Sequence, residues 1–288
     1  MKAMAAALLL AGCAAPMPPA APPVTFAITP PTKPVPLPPR LSGTPIQGGL
    51  VRGQVSPGVT ALTIDGHAVP IAVDGRFILG FDRDAAANAQ LVQTHAGGSD
   101  TVPIAISPRA WRIERVDAPY RAGKTDAEFE AARPAERAAI TAARAVATDA
   151  QGWREPLRWP AIGRLSGLFG AQRVYQGKPG GYHSGADVAV PTGTPVSAPA
   201  DGVVTLATDR PFTLEGRLLM LDHGMGLNSA FLHLSRIDVT PGQHVRRGQL
   251  IALSGATGRA TGPHLHWSLQ WLGAKLDPLL VAEGMPAF

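Results

Sequence analysis

The sequence predicts a mainly β chain. An antiparallel β domain at the C-terminal end is preceded by a small Ig-like β-sandwich and a helical connector. Three observations carry this. From Trp153 onwards, short apolar runs are punctuated by Gly and Pro, and helical periodicity is scarce. From Gln47 to Ala118, about seven short strand-like runs are separated by turn residues. Only between Lys124 and Ala150 does an Ala-, Glu- and Arg-rich pattern suit a helix. A chain of 288 residues is long enough for two domains or for one with substantial appendages.

Taken in order, residues 1–12 read as a lipoprotein signal peptide. Met1–Met4 is short and weakly positive, and the apolar run Ala5–Ala11 is too short to span a bilayer as a mature helix. Leu10-Ala11-Gly12-Cys13 resembles the bacterial lipobox, in which the signal is cut before the cysteine and that cysteine is acylated. Cys13 is therefore the predicted lipidation site. It is also the single cysteine, which excludes an intramolecular disulfide and a thiolate ligand in the folded part. Residues 13–45 carry twelve prolines, from Pro16 to Pro45. Such a segment favours polyproline II over a packed core and predicts a stiff tether.

The small sandwich is predicted over residues 46–118. Its strands fall at 50–55, 62–64, 69–73, 76–79, 89–94, 101–106 and 111–115. Asp65-Gly66 and Asp74-Gly75 are its hairpin turns, because both positions tolerate positive φ. His67 and His95 lie in or beside turns. The connector occupies 119–152, with Thr125 as N-cap and Glu128 completing a capping box. Pro134 is expected to break or kink the helix and to open a second one. In the last domain, 153–288, strands are expected at 202–207, 217–221, 229–234, 249–254 and 265–270. The Gly-rich stretch 171–185 reads as a wall loop.

Five side chains in this domain have the chemistry of a zinc site: His183, Asp187, His233, His264 and His266. His264 and His266 are two apart, so on a strand both face one way. His183 and Asp187 are four apart, which also gives one face. Two histidines and one carboxylate are a common protein ligand set for catalytic zinc, with the fourth position left to water. The helical His-Glu-x-x-His pattern is absent, which excludes that metalloprotease class. A net charge of +5 suits an anionic partner such as a membrane surface or cell wall. No run of Lys and Arg interleaved with aromatics occurs, so nucleic acid is not an expected partner.

These residues sit in an ordered series of motifs. They are Phe169-Gly170-x-x-Arg173, His183-x3-Asp187, Pro191-x-Gly193-Thr194-Pro195-Val196, Ala200-Asp201-Gly202-x-Val204 and His233-Leu234-Ser235. Gly242-x-x-Val245-x-x-Gly248, Gly255-x-Thr257-Gly258 and Thr261-Gly262-Pro263-His264-Leu265-His266 complete the series. With them, the chain from Trp153 to its end resembles the lysostaphin-type (LytM-domain) zinc metallopeptidases, which cut peptides of bacterial cell walls.

The resemblance implies the β-rich groove fold of that family. It also implies one Zn2+ per chain, held by His183, Asp187 and His266. His233 and His264 match the two catalytic histidines that are not ligands. Either can accept the water proton or donate to the oxyanion, and the sequence does not divide the roles. Arg173 matches a family position and holds either a substrate carboxylate or an internal partner. Tyr182 lines the groove or packs. His223 reads as structural and His244 as a surface residue. Phe231 stands where many relatives have Tyr, which keeps the aromatic packing and removes a hydroxyl.

The implied activity is endopeptidase cleavage of stem peptides or cross-links of peptidoglycan. The implied location is the periplasmic side of a bacterial envelope, lipid-anchored. Ala14 rather than Asp after Cys13 points to the outer membrane. The rival reading is a non-catalytic envelope protein that binds peptidoglycan or activates cell-wall amidases. The intact ligand set weighs against it. An upstream residue filling the fourth metal position would hold such an enzyme latent.

Overall fold

A computed structural model of the chain describes residues 37–117 and 127–284. The signal segment with Cys13, and the expected cap Thr125, lie outside these residues. Upstream come β1 (Arg40–Ser42), β2 (Leu50–Gln54), β3 (Val59–Ile64), β4 (His67–Ala68), β5 (Arg76–Gly80), β6 (Asn88–His95), β7 (Gly98–Ala105) and β8 (Ile113–Val116). Helix α1 (Ala127–Ala145) follows. The remainder holds β9 (Leu157–Arg158), β10 (Arg164–Gly167), β11 (Gln172–Tyr175), β12 (Lys178–Tyr182), β13 (Ala186–Ala189), β14 (Pro195–Ser197) and β15 (Gly202–Ala207). Then come β16 (Arg217–Asp222), β17 (Leu227–Leu234), β18 (Arg236–Ile237), β19 (His244–Val245), β20 (Leu250–Leu253), β21 (Leu265–Trp271) and β22 (Ala274–Leu276). The series ends with the short helix α2 (Pro278–Val281) and β23 (Ala282–Glu283). The fold is mainly β, as predicted.

Upstream, a three-stranded sheet (β1-β2-β5) and a four-stranded sheet (β4-β3-β6-β7) are both antiparallel. Alternation along the strands buries Val51, Phe77, Leu79, Leu62, Leu91 and Ile104 in one cluster. Asp65 and Gly66 take φ of 48° and 80°, so their hairpin turn is the kind the Asp-Gly signal predicts. Four expectations for the first half of the chain are corrected. The tether was placed up to residue 45, but Arg40–Ser42 already pairs with β2. Residues 69–73 form no strand, since Pro70 has no N–H for a ladder. The run at 111–115 forms β8, which pairs parallel with β11 rather than with the upstream sheets. Finally, α1 runs unbroken through Pro134, and no second helix begins there. Side-chain anchors on both sides of Pro134, at Arg133 and Glu136, hold the helix against the loop before β16.

The second half is built on an eight-stranded sheet in the order β10-β13-β21-β17-β16-β15-β19, with β22 on β21. One face buries Leu219, Leu221, Phe231, Leu265, Trp267 and Leu269. Each such side chain contributes on the order of 2–3 kcal/mol of burial. Trp159 meets Trp267 edge-on, with ring centroids 5.4 Å apart. The opposite face carries Leu218, Met220, Ala230 and Leu232, and there α1 lays Ile140 and Ala143. The stretch 171–185, expected as a loop, is instead the hairpin β11–β12. Its turn uses positive φ at Gln176 (46°) and Gly177 (82°), the pairing a two-residue hairpin requires.

The upstream sheets hold this hairpin in place. Arg83, 5% exposed, donates to the Gly170 carbonyl (3.1 Å) and to Gln172 Oε1 (3.0 Å). The Tyr182 hydroxyl donates to Asp82 Oδ1 (3.2 Å), and Arg109 pairs with the buried Asp277 (2.8 Å). The buried clusters of the upstream sheets and of the large sheet form one continuous core. Among the described residues no helix is long and apolar enough to cross a membrane.

Candidate active site

The site lies where β10, β13, β21 and β17 run side by side. Their register places Gly167 opposite Asp187, Asp187 opposite His266, and His266 opposite Leu232. The row is on the groove face because period-two alternation sends Leu265 and Trp267 into the core and His266 out. Gly167 is required in it: a Cβ there would collide with the Asp187 carboxylate. Gly185 plays the same part for His266, since a Cβ would meet Nε2 and the Trp267 carbonyl.

His183 enters from the segment between β12 and β13. Its Nδ1 lies 3.1 Å from the Leu168 carbonyl, which can only accept, so Nδ1 carries a proton; Nε2 donates to Asp187 when the ring is charged and offers a lone pair when the ring is neutral. Nε2 of His183, Oδ1 of Asp187 and Nδ1 of His266 form a triangle with edges of 3.1, 3.1 and 2.8 Å. Burial opposes ionisation of Asp187, but hydrogen bonds from His183 and His266 hold its carboxyl well below the usual range. Burial works against a proton on His183, and the bond and charge of Asp187 outweigh it, so its pKa is raised. Burial lowers that of His266, with Asp187 opposing. Three donors converge on one point around a committed anion, a set that can hold a metal ion. The donor spacing is close to the roughly 3.3 Å between ligands of a tetrahedral zinc. Among the described residues no acid, histidine or cysteine from upstream of the domain joins the cluster.

His233 and His264 stand beside the triangle. Their rings are 4.7 Å apart, and His233 is 6.3 Å from His266. His264 Nε2 is 3.8 Å from Asp187 Oδ1. His233 would point into the core if β17 kept its alternation, because Phe231 does. A bulge sets Leu232 and His233 opposite Leu218 alone, and His233 adopts φ 62°. That extra residue turns the ring into the groove. Its Nδ1 faces the Thr257 carbonyl at 2.9 Å, and Nδ1 of His264 faces the Gly262 carbonyl at 2.8 Å. Both rings therefore hold their proton at Nδ1 and present Nε2 as a base. Burial lowers the pKa of His233, which favours this neutral form.

The groove of about 1320 Å3 continues from the cluster in two directions, along the β11–β12 hairpin and along α1. Arg173 and Tyr182 both line it. Arg173 has an internal partner, Glu114 of β8, at 2.8 Å. Tyr182 is half-buried, with its ring between Arg83 (4.6 Å) and Lys275 (4.8 Å). His67 and His244 are exposed, and His95 pairs with Asp100 at 2.9 Å.

His223 lies on the core side, fully buried. Its Nδ1–H donates to the Asp201 carbonyl (2.8 Å), and its Nε2 accepts from Ser229 Oγ (2.7 Å), which itself accepts from Trp267 Nε1 (3.3 Å). His223→Ala orphans two buried polar partners and is expected to cost about 2–4 kcal/mol in denaturant unfolding. Burial holds its pKa below the ordinary value. The unfolded chain then takes up a proton that the fold refuses. This histidine's contribution is complete above about pH 6.5 and is lost, by up to about 1.4 kcal/mol per pH unit, as pH falls from there towards the folded pKa. The slope of stability between pH 5 and 7 is expected to be shallower in the variant.

Residues 181–278 match the family model described as Peptidase family M23. The crystal structure of a Pseudomonas aeruginosa protein assigned to peptidase M23 superposes with a TM-score of 0.64 at 30% identity, covering 83% of this chain and 95% of that one. The chain belongs to peptidase family M23. The chain is also 45% identical over 117 residues to the peptidoglycan DD-endopeptidase ShyA of Vibrio cholerae, covering 40% of this chain and 27% of that protein. It is 40% identical over 104 residues to the DD-carboxypeptidase/endopeptidase Mpg of Neisseria meningitidis, covering 36% and 24%. The chain thus spans about a quarter of the length of these curated relatives.

Sequence reasoning missed the α1 wall of the groove. Arg133 and Glu136 sit three apart and signal a helical ion pair, but their other partners, Glu215 for Arg133 and Thr213 for Glu136, are remote in sequence.

Proposed function

We propose that the chain is a zinc-dependent endopeptidase that hydrolyses stem peptides or cross-links of bacterial peptidoglycan. The observation that carries this is the convergence of His183 Nε2, Asp187 Oδ1 and His266 Nδ1 in an open groove, with two further histidines beside them. His183, Asp187 and His266 hold the metal, and His233 and His264 are the acid–base pair. Bound zinc would polarise the scissile carbonyl and bring a water towards ionisation near neutral pH. The chain's own residues do the rest. Gly167 and Gly185 leave room for the ligand side chains. Thr257 and Gly262 fix the tautomers of His233 and His264 through their carbonyls. Nε2 of one ring takes a proton from the attacking water, and a ring so charged can return it to the departing amine. Cys13 as the lipid-bearing residue, the Pro-rich tether and a place on the periplasmic side of the outer membrane complete the reading. So do zinc as the resident metal and peptidoglycan as partner.

The test is digestion of purified peptidoglycan by the full chain, with metal content measured on the same sample. Loss of cross-linked muropeptides at about one zinc per chain is expected. Full zinc loading with no bond cut in any peptidoglycan offered would overturn it in favour of a binding or amidase-activating role.

A further inference from the structure

The α1 arm of the groove is not needed to hold the metal or the two acid–base histidines, yet a buried ion-pair network anchors it. Leu232, half-buried, lies at its base, while Leu218, Met220 and Ala230 behind it are closed over by Ile140 and Ala143 of α1. Its side is a stripe of α1 at helical spacing: Arg133, Arg137, Ile140, Thr141 and Arg144. Arg259, across the arm, lines the same space.

The arginines divide into two kinds. Arg133 is structural: it spends its fork on both oxygens of Glu215 (2.7 and 3.1 Å) and on Glu136 (2.8 Å). Glu215 is the carboxylate lining this arm, and its oxygens are thereby committed. Arg137, Arg144 and Arg259 are exposed and, among the described residues, have no carboxylate within ion-pair distance. Three guanidinium groups consequently border the same groove as the histidine cluster. Such a border selects an extended peptide in the groove whose anionic groups reach the guanidinium forks. Arg137 and Arg144 are seven residues apart, which is about 10.5 Å along a helix. That distance is spanned by about three residues of extended peptide.

We propose that this arm is a carboxylate-recognising subsite, in which Arg137, Arg144 and Arg259 bind free carboxylates on the peptide flanking the scissile bond. The inference deepens the peptidoglycan reading and rests on it for the source of the peptide. It makes these arginines specificity residues: they contact substrate away from the reacting atoms.

The experiment uses the full-length, zinc-loaded chain and two synthetic probes. One is a short peptide with two free carboxylates three residues apart, and the other is its diamide. Binding is measured by calorimetry at two salt concentrations. The acid form is expected to bind at least about tenfold more tightly than the diamide. In Arg137→Gln/Arg144→Gln the ratio is expected to fall towards one, with zinc content and melting temperature unchanged. A ratio near one in the unmodified chain would overturn the proposal, and so would a ratio that the double variant leaves intact. A single Arg259→Gln change, off the helix, gives the same reading if the helix variant unfolds. Because the readout is binding, failure of the endopeptidase reading appears separately, as zinc-loaded protein that prefers the acid form yet cuts no peptidoglycan.

Discussion

Replacing His266 with Ala is expected to lower zinc affinity by more than about a hundredfold, since even changes to groups supporting a ligand cost about ten- to a hundredfold. Peptidoglycan hydrolysis should fall to background with it. The geometry gives the reason. His266 sits opposite Asp187 in the register and supplies one corner of the donor triangle, with its Nδ1 2.8 Å from Asp187 Oδ1. Without the ring, Asp187 loses one of the two hydrogen bonds that keep it ionised, so the anion at the centre weakens as well. His233→Ala and His264→Ala are expected to part company with this result. Their Nδ1 atoms are bound to backbone carbonyls and their rings flank the triangle. Zinc should therefore stay near one per chain while turnover falls by about 10²–10⁴. Metal analysis beside muropeptide analysis on the three variants checks the division of labour. Metal loss in the His233 variant would mean that the ligand set is drawn wrongly.

Much of this site could be read from local spacing. The His-Leu-His pair lies at the start of β21, and period-two alternation alone says that His266 and the core residues Leu265 and Trp267 face opposite ways. What local spacing does not contain is register. Asp187 meets His266, 79 residues on, because their strands pair at one offset, and that offset is set by the core they share. His233 was harder still, because plain alternation points it inward with Phe231. Only the bulge opposite Leu218, with its left-handed backbone, brings it out. The hairpin at 172–182 was hidden because Gln176-Gly177 is a less familiar turn than Asp-Gly, and its strands are rich in Gly and Pro. Assigning β8 to the upstream sheets followed from proximity in the chain. Its strand character was legible, and its parallel partner β11 was not.

Arg133→Met is expected to destabilise the fold by about 3–5 kcal/mol, because it leaves Glu136 and Glu215 buried without their cation. For a chain of this size that corresponds to a fall in melting temperature on the order of 6–10 °C. Burial alone would favour a discharged guanidinium at Arg133. The bonds from Glu215 and Glu136 overcome that burial and raise its pKa. Burial likewise opposes the charge on Glu136, but the Thr213 amide and hydroxyl and Arg133 hold its carboxyl below the ordinary value. Its contribution is therefore present above about pH 4.3 and is lost as pH falls through the folded value. The variant should accordingly show a flatter acid limb in its stability profile. The consequence reaches the site along a short path. Glu215 binds Arg133 through its carboxylate, and its carbonyl accepts the backbone N–H of His233 at 2.9 Å. Loosening α1 thus loosens His233, whose ring is one of the proposed acid–base pair and whose backbone is left-handed. Turnover should fall further than zinc content does. The control replaces the whole group: Arg133→Met with Glu215→Leu and Glu136→Gln removes the orphaned charges and should recover most of the lost stability. If it does so without restoring turnover, Glu215 positions His233 through more than its backbone. If Arg133→Met alone unfolds at the parent temperature, the ion network contributes nothing to docking α1, and the apolar contacts of Ile140 and Ala143 hold the helix unaided.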